Sequence, residues 1–378
     1  MGKERDLFFK SQPKSLHYKP LDEVKIGDKF VGKGYPTLII AEVGANHHGD
    51  IKNAYKLIDK ACEAGADVVK FQHLTHDKIA ADTVVYDEWN GKKVGALSGF
   101  FKSAEMPYEW TADLIDYANK AGIMFLSTPF DKEAVDVLDR ANVAAFKVGS
   151  YEMTDDILLS YIAQKNRPII VSTGMSTLEE VAHAVNTIIE AGNNQIILMH
   201  CVSMYPPKME DINLRAITTL ADALKLPVGF SDHSKPPFIA APVAAVALGA
   251  CVIEKHITEE QEGGSNDDPN SIKVDDFKYF VQEIRNAEQG LSGNGLKLPA
   301  SNEGHKNDEI FDRWSRRSVY ALRDMKAGDT VSDKDIITLR PWGGIAPKDF
   351  HLFNGLKIIR PVKARTALTP KHFKKSLE

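Results

Sequence analysis

The sequence predicts an α/β fold, a (β/α)8 TIM barrel followed by a small β-rich domain. Between residues 37 and 291, short apolar runs rich in Ile, Val and Phe alternate with stretches of helical period. Strands that are apolar along their whole length are typical of a parallel sheet covered by helices. Eight such units in about 255 residues match the size of this barrel. A doubly wound open sheet is the alternative, but no G-x-G-x-x-G motif follows the first strand, which weakens its dinucleotide-binding form.

Each predicted strand of the barrel is followed by a stretch that can form a helix. The strands cover residues 37–45, 67–74, 123–130, 144–150, 168–175, 195–203, 227–234 and 250–258. The helical stretches cover, among others, residues 53–64, 178–191 and 274–289, and in the first two, apolar residues recur three or four positions apart.

Composition and local pattern divide the chain into four segments. Residues 1–36 form an N-terminal extension, and residues 37–291 form the predicted barrel. Residues 292–311 form a linker, because their first part is rich in Gly, Ser and Asn and has no period. Residues 312–378 form the small domain.

The C-terminal part has an internal repeat and its own charge. Residues 324–336 align with residues 361–373 at an offset of 37, which predicts a pseudo-twofold module. Residues 297–378 carry 17 Lys and Arg against 10 Asp and Glu, whereas the rest carries 30 against 42. A basic segment can indicate nucleic-acid binding, but these residues form no long run. We therefore expect a basic domain that meets an acidic surface or an anionic substrate, with no nucleic-acid partner.

The overall composition excludes several classes of protein. A chain that is 43% hydrophobic and 26% charged is an ordinary globular protein and neither disordered nor fibrous. No apolar run reaches the roughly 18 residues of a membrane span, and the polar first 20 residues do not resemble a secretory signal. The three widely spaced cysteines exclude a disulfide framework and favour a cytoplasmic location.

Two lysines stand out among the polar groups at the strand ends, where barrels of this kind carry their chemistry. Lys70 and Lys147 each interrupt an apolar strand, and a buried lysine is costly unless it is paired. They could form structural ion pairs with Glu42 or Glu254, bind an anion such as phosphate or carboxylate, or form a Schiff base. Neighbouring hydroxyls favour the anion site over the Schiff base, and these are Thr128, Ser150 and Ser231.

Two histidines end adjacent predicted strands and could converge on one point. His233 and His256 form a pair that, with an oxygen donor, suits a divalent transition metal with open coordination positions. Asp267 and Asp268 lie in the polar loop after the eighth strand, which could be a solvated turn or could reach over the barrel mouth. Arg340 lies on a Gly- and Pro-rich loop of the small domain.

The strand-end motifs together resemble those of the sialic acid synthase family, the phosphoenolpyruvate-dependent nonulosonate synthases. The motifs occur in the family's order from residue 37 nearly to the C-terminus, and they are AEVGANHHGD, KFQ, STPF, KVGSYE, STGM, HCVSMYP, GFSDHS and EKHIT. The small domain resembles the family's antifreeze-like (SAF) domain, and the chain is also similar to the spore-coat polysaccharide branch.

The resemblance implies a role for each matching residue. Phosphoenolpyruvate would be held by Lys70, Thr128, Lys147, Ser150 and Ser231. The amino sugar would be held by Glu42, Gln72, Glu152, Tyr205 and Asp267. A divalent metal, Mn²⁺ first and Mg²⁺ or Co²⁺ as alternatives, would be bound by His233 and His256. Arg340 would reach the active site of the other subunit in a domain-swapped homodimer.

The chain departs from the family pattern at two places. Ser203 stands where the family has asparagine, so a hydroxyl replaces an amide at one phosphoenolpyruvate contact. The usual G-P-D loop reads Ser265-Asn266-Asp267, and Asp267 is preferred to Asp268 because it keeps its distance of 11 residues from His256.

The reaction that the resemblance implies is a condensation of phosphoenolpyruvate with an open-chain N-acetylated amino sugar, such as N-acetylmannosamine, which releases phosphate by C–O cleavage. Glu42 would orient the sugar or take a proton, while Lys70 and Lys147 would neutralise the phosphate and carboxylate. Alternatives are a condensation with a different or phosphorylated sugar, and a non-catalytic sugar-binding protein of coat assembly.

Overall fold

The computed structural model describes residues 21–81, 85–86, 95–293 and 314–373. The chain divides into two compact units, Met1–Ser292 and Gly293–Glu378. Each unit has its own hydrophobic core.

Strands and helices alternate through most of the first unit. The strands are β1 (Glu23–Ile26), β2 (Lys29–Gly32), β3 (Leu38–Glu42), β4 (Val68–His73), β5 (Val85–Tyr86), β6 (Gly95–Ala96), β7 (Met124–Pro129), β8 (Phe146–Val148), β9 (Ile169–Ser172), β10 (Ile196–His200), β11 (Val228–Asp232), β12 (Val252–Thr258) and β13 (Ile272–Lys273), and the second unit adds β14 (Ser318–Ala321) and β15 (Ile336–Leu339). The helices are α1 (Ile51–Ala64), α2 (His76–Ile79), α3 (Leu97–Lys102), α4 (Trp110–Ala121), α5 (Lys132–Arg140), α6 (Asp156–Ala163), α7 (Leu178–Glu190), α8 (Arg215–Leu224), α9 (Ala240–Ala247) and α10 (Val274–Leu291). Within the described ranges, no helix is both long and apolar enough to cross a membrane.

Eight parallel strands close into a barrel, which confirms the predicted fold. Their order around the barrel is β3, β4, β7, β8, β9, β10, β11 and β12, and β12 pairs with β3 to complete the ring. Each observed strand lies within the corresponding predicted range. The register brings Glu42 beside Lys70 on one side and beside His256 on the other. The strand-end residues singled out in the sequence therefore meet at one end of the barrel.

The opposite end of the barrel is closed by the hairpin of β1 and β2. Its buried residues Val24, Ile26 and Val31 pack with barrel residues that include Ile40 and Leu126. The hairpin belongs to the segment that the sequence analysis separated as an extension. Its alternation of exposed and buried residues is that of a two-faced strand, a signal too short to stand out beside the barrel strands.

Capping residues define the ends of helices α1 and α7. Thr177 starts α7 with a reciprocal capping box, in which its side chain accepts from the Glu180 amide and Glu180 accepts from the Thr177 amide. Asp50 caps the first turn of α1, and Gly65 ends that helix in the left-handed conformation, with φ of 87°. Thr177 and Asp50 thus mark the ends of the loops that follow β9 and β3, and Gly65 begins the connection from α1 to β4.

The second unit consists of two copies of one motif, as the 37-residue offset predicted. Met325 and Val362, which are 37 positions apart, exchange backbone hydrogen bonds of 2.8 and 2.9 Å, so they lie on the pseudo-twofold axis. Each copy has a one-turn 3₁₀ helix, Asp333–Asp335 or Pro370–His372, with a capping box at its start. The core of this unit takes residues from both copies, among them Met325 and Val331 from the first and Val362 and Leu368 from the second.

Candidate active site

Four charged side chains form a buried ionic cluster, consisting of Glu42, Lys70, Lys147 and Glu254. The Lys70 ammonium lies 2.7 Å from a Glu42 carboxylate oxygen and 3.7 Å from one of Glu254. The Lys147 ammonium lies 3.1 Å from the other Glu254 oxygen. No side chain of the cluster is more than 4% exposed. Two positive and two negative groups balance, as buried charges require.

The charges of the ionic cluster are unequally compensated. Burial alone would raise the pKa of Glu254, but Lys147 and Lys70 outweigh burial and lower that pKa well below its ordinary value. Burial also acts to lower the pKa of Lys70, yet Glu254 and Glu42 together raise it. For Lys147, burial lowers the pKa and Glu254 offsets this only in part. Lys147 is therefore the lysine whose positive charge an added anion would stabilise most.

Three uncharged groups hydrogen-bond to the ionic cluster. Lys70 donates to the Thr128 hydroxyl at 3.2 Å. The Ser231 hydroxyl donates to Glu254 at 3.1 Å, and the Gln72 amide donates to Glu42 at 2.7 Å. The structure shows the ion pairs of the two lysines. The anion site stays a prediction, for which the neighbouring hydroxyls could supply hydrogen bonds to an oxyanion.

Ser150 and Ser203 meet around the backbone of Gly174, beside the Cys201 thiol. The Gly174 amide donates to the Ser150 hydroxyl at 3.0 Å, and that hydroxyl lies 3.1 Å from the Cys201 sulfur. A Cβ at Gly174 would lie 2.3 Å from the Ser203 hydroxyl and 2.8 Å from that of Ser150. Glycine is therefore required for the two hydroxyls to converge here. Burial raises the pKa of Cys201, so the thiol is neutral.

His233, His256 and Tyr205 form a cluster of rings at the ends of β11 and β12. The rings of Tyr205 and His233 stack with centroids 4.1 Å apart, and those of the two histidines are 6.1 Å apart. The Nδ1 of His233 lies 2.7 Å from the Val202 carbonyl oxygen, to which it donates. This contact directs Nε2 toward the hydroxyls of Tyr205 and Ser231, at 3.2 and 3.3 Å.

The histidine pair suits the divalent metal that the resemblance implies. The Nδ1 of His256 is buried and has no hydrogen-bond partner among the described residues. Burial, with a smaller effect of neighbouring His256, lowers the pKa of His233 to about 3, so its ring is neutral, as metal ligation requires. An Asp267 carboxylate oxygen lies 3.9 Å from His256 Nδ1 and could supply an oxygen donor.

The two aspartates of the loop after β12 have different surroundings. Asp268 is buried and fixes the loop, because it accepts from the Thr258 hydroxyl at 2.6 Å and from the Ser265 amide at 2.8 Å. Asp267 accepts from the Ala45 amide at 2.9 Å and lies beside His256. Asp267 is therefore the aspartate that lies beside His256, and its contact with the sugar stays a prediction.

Glu152 has an unusual protonation equilibrium. One of its carboxylate oxygens is buried without a hydrogen-bond partner among the described residues, and burial raises the pKa of Glu152 to about 7. Because the folded chain holds this proton more tightly than the unfolded chain, the associated stability is complete below pH about 4.5. It is lost as the pH rises to 7.

We expect Glu152→Gln, which is neutral at every pH, to be more stable than the wild type at pH 8. The advantage should shrink on acidification toward pH 5, by up to about 3 kcal/mol. Chemical unfolding of both proteins across this range measures it. A difference in stability that does not vary with pH would show that Glu152 titrates normally.

Arg340 lies in the second unit, immediately after β15. Its side chain is exposed, and the peptide bond to Pro341 is cis. Trp342, two residues on, is 48% exposed. An exposed arginine beside an exposed aromatic ring is a combination that is enriched at protein interfaces.

Another group of possible metal ligands lies at the start of α2. Ligand atoms of His76, Asp77 and Glu105 all lie within 4.8 Å of one another. The His76 backbone amide and ring nitrogen both contact one Glu105 oxygen, at 2.6 and 2.5 Å. The sequence analysis did not single out these residues. Hydrogen bonds between Glu105 and the first residue of α2 account for these contacts.

One residue of the site, Glu254, has a larger role than the sequence predicted. Glu254 was considered only as an ion-pair partner, yet it contacts both lysines and Ser231. Its position two residues before His256 could have indicated this role, because residues two apart on a strand face the same side.

The fold and the site together define the class of protein. A (β/α)8 barrel with ionisable groups gathered at the carboxyl ends of its strands is typical of enzymes, whose active sites lie at that end. The NeuB family model matches residues 57–297, and the SAF domain model matches residues 316–374. The chain belongs to the NeuB family.

Relatives of known name support this assignment over nearly the full length. The chain is 38% identical to the N,N'-diacetyllegionaminic acid synthase of Legionella pneumophila, covering 92% of this chain and 97% of the relative. It is also 38% identical to the spore coat polysaccharide biosynthesis protein SpsE of Bacillus subtilis, covering 91% and 95%. The crystal structure of N-acetylneuraminic acid (sialic acid) synthetase from Leptospira borgpetersenii, in complex with citrate, is 31% identical. It superposes with a TM-score of 0.67 over 79% of this chain and 98% of that one.

The resemblance seen in the sequence is thereby confirmed, including the SAF domain and the spore-coat branch. The chain is an enzyme, and its predicted class, a phosphoenolpyruvate-dependent synthase, is confirmed at the level of the family.

Proposed function

We propose that this protein condenses phosphoenolpyruvate with an open-chain 2-acetamido sugar to give a nonulosonic acid and inorganic phosphate. One observation carries the proposal: two buried lysines, from β4 and β8, share Glu254 of β12, two residues before His256 and beside Ser231 in the register of β11. An anionic substrate and a carbonyl acceptor could therefore be held side by side.

Phosphoenolpyruvate would bind through the ionic cluster. Lys147 is the less compensated lysine, so it would take one anionic group, and Lys70 with the Thr128 hydroxyl would take the other. Charge-assisted hydrogen bonds between side chains as buried as these are strong. The hydroxyls of Ser150 and Ser203, close together at Gly174, would supply further donors.

The amino sugar would lie toward the loops, against Gln72, Glu152, Tyr205 and Asp267. Gln72 already holds Glu42 at 2.7 Å, so Glu42 is oriented to accept a proton from a sugar hydroxyl. Glu152, with a pKa of about 7, could donate or accept a hydrogen bond.

The bond changes follow from the chemistry of the two substrates. Carbon 3 of phosphoenolpyruvate attacks the aldehyde carbon, water adds at carbon 2, and the C–O bond to phosphate breaks, leaving a 2-keto acid. Lys70 and Lys147 would stabilise the phosphate and carboxylate charges throughout. A divalent ion at His233 and His256, Mn²⁺ in the first instance, would act as a Lewis acid toward the aldehyde oxygen.

A phosphate-release assay tests the proposed function. Purified protein is incubated with phosphoenolpyruvate and Mn²⁺ against a panel of N-acetylmannosamine, 2,4-diacetamido hexoses and their phosphorylated forms. We expect release only with one kind of unphosphorylated 2-acetamido sugar, and its loss after chelation, with recovery on adding Mn²⁺ or Co²⁺. Release without any sugar, or with a phosphorylated sugar alone, would contradict the proposal.

We also propose that the enzyme works as a domain-swapped homodimer in which Arg340 serves the partner's site. The excess of basic residues in 297–378 and the excess of acidic residues elsewhere favour association of one chain's small domain with another chain's barrel. An arginine is suited to hydrogen-bond an acyl or hydroxyl oxygen of the sugar.

A further inference from the structure

A second ion pair is buried behind the two histidines. Side chains of a strand alternate between its two faces, so Asp232 and Lys255 lie on the face opposite to Ser231, His233, Glu254 and His256. The two residues are direct neighbours in the register of β11 and β12. Both side chains are fully buried, and the Lys255 ammonium lies 2.9 Å from an Asp232 oxygen. We call this pair the strand clamp.

The strand clamp holds the backbone on both sides of His233. The other Asp232 oxygen accepts from the Ser234 amide at 2.9 Å. Lys255 donates to the Ser234 carbonyl oxygen at 2.6 Å. The residue after His233 is thus fixed through its N–H and its C=O, and the second of these bonds comes from the residue just before His256.

We infer that the strand clamp is a positioning device that sets the mutual orientation of His233 and His256 for metal binding. The inference rests on the proposed function, in which these histidines hold the ion. Neither clamp residue reaches the mouth of the barrel, so their effect is exerted through the backbone. Groups that orient metal ligands typically alter metal affinity by about 10- to 100-fold when removed.

The test replaces both charges at once, because removing one would leave the other buried and unpaired. Asp232→Asn combined with Lys255→Met keeps the volume of the pair while removing the ammonium contact to Ser234. The matched control is Asp67→Asn with Arg285→Met, a partly buried pair with a 2.7 Å contact between the residue before β4 and α10.

Binding of Mn²⁺ alone is measured by the loss of the free-ion resonance in electron paramagnetic resonance. Phosphoenolpyruvate binding is measured by equilibrium dialysis. Thermal unfolding is followed by circular dichroism.

We expect the clamp variant to unfold cooperatively and bind phosphoenolpyruvate as the wild type does, while its Kd for Mn²⁺ rises about 10- to 100-fold. The control variant should keep the Mn²⁺ affinity of the wild type. A clamp variant with unchanged Mn²⁺ affinity would overturn the inference and leave a purely structural ion pair. If the double variant does not fold, Lys255→Arg takes its place. This substitution keeps the charge but alters the contacts of Lys255 with Asp232 and Ser234. We expect the Kd for Mn²⁺ to rise several-fold. An unchanged Kd would again overturn the inference.

His256→Ala separates this inference from the proposed function. Loss of Mn²⁺ binding in His256→Ala, with wild-type affinity in the clamp variant, would reject the clamp alone. Unchanged Mn²⁺ affinity in His256→Ala would show that the ion binds elsewhere and would reject the metal role itself.

Discussion

Lys147→Met is expected to lower kcat/KM by ~10²–10³-fold, the usual cost of removing one donor from a group of preorganised charges. Lys147 and Lys70 share Glu254, so the substitution removes half of the positive charge of the ionic cluster. The remaining charges of the cluster sum to −1, which would repel an anionic substrate. Steady-state phosphate release with varied phosphoenolpyruvate measures the effect.

Lys165→Met is the matched control for this substitution. Lys165 also forms an ion pair, at 2.7 Å from Asp136, but the carboxylate of that pair is 36% exposed. Such pairs contribute little, and we expect activity within about twofold of the wild type. Equal activities of the two variants would show that the ionic cluster does not bind the substrate.

Arg340→Ala is expected to keep the fold and dimer while lowering activity by about 10- to 100-fold, the equivalent of one charge-assisted hydrogen bond. Arg360→Ala, which removes another exposed arginine of the same domain, should leave activity unchanged. Size-exclusion chromatography and phosphate release measure the two properties. A dimer lost together with activity would assign Arg340 to assembly.

Mixing Arg340→Ala with Lys147→Met shows which subunit Arg340 serves. If Arg340 acts across subunits, each mixed dimer has one intact site and one site with both defects. Random exchange of equal pools should then restore about a quarter of wild-type activity. No recovery, when subunit exchange is demonstrated by labelled chains, would mean that Arg340 serves its own barrel.

The sequence predicted the barrel because its signal is strong and local. Each strand is a mainly apolar run, and its period distinguishes it from the helix that follows. The hairpin of β1 and β2 was missed because four-residue strands with one buried face carry little signal, and its packing against Ile40 depends on the closed barrel.

The site was predictable in its residue types and less so in its pairings. Lys70 and Lys147 were conspicuous as charges within apolar strands, but Glu254 joins them through a register that no linear pattern reveals. The strand clamp escaped notice for the same reason, since Asp232 and Lys255 are 23 residues apart and become neighbours only through the pairing of β11 with β12. The 37-residue repeat was visible because its two copies are similar in sequence.

In the proposed reaction, phosphate leaves by C–O cleavage after a condensation at carbon 3. Phosphoenolpyruvate labelled with ¹⁸O at the bridging oxygen, incubated with the enzyme and its sugar acceptor, tests it most directly. Mass spectrometry of both products should find the label in the released phosphate and none of it in the sugar acid. Label retained in the sugar acid would mean P–O cleavage and would rule out the proposed reaction.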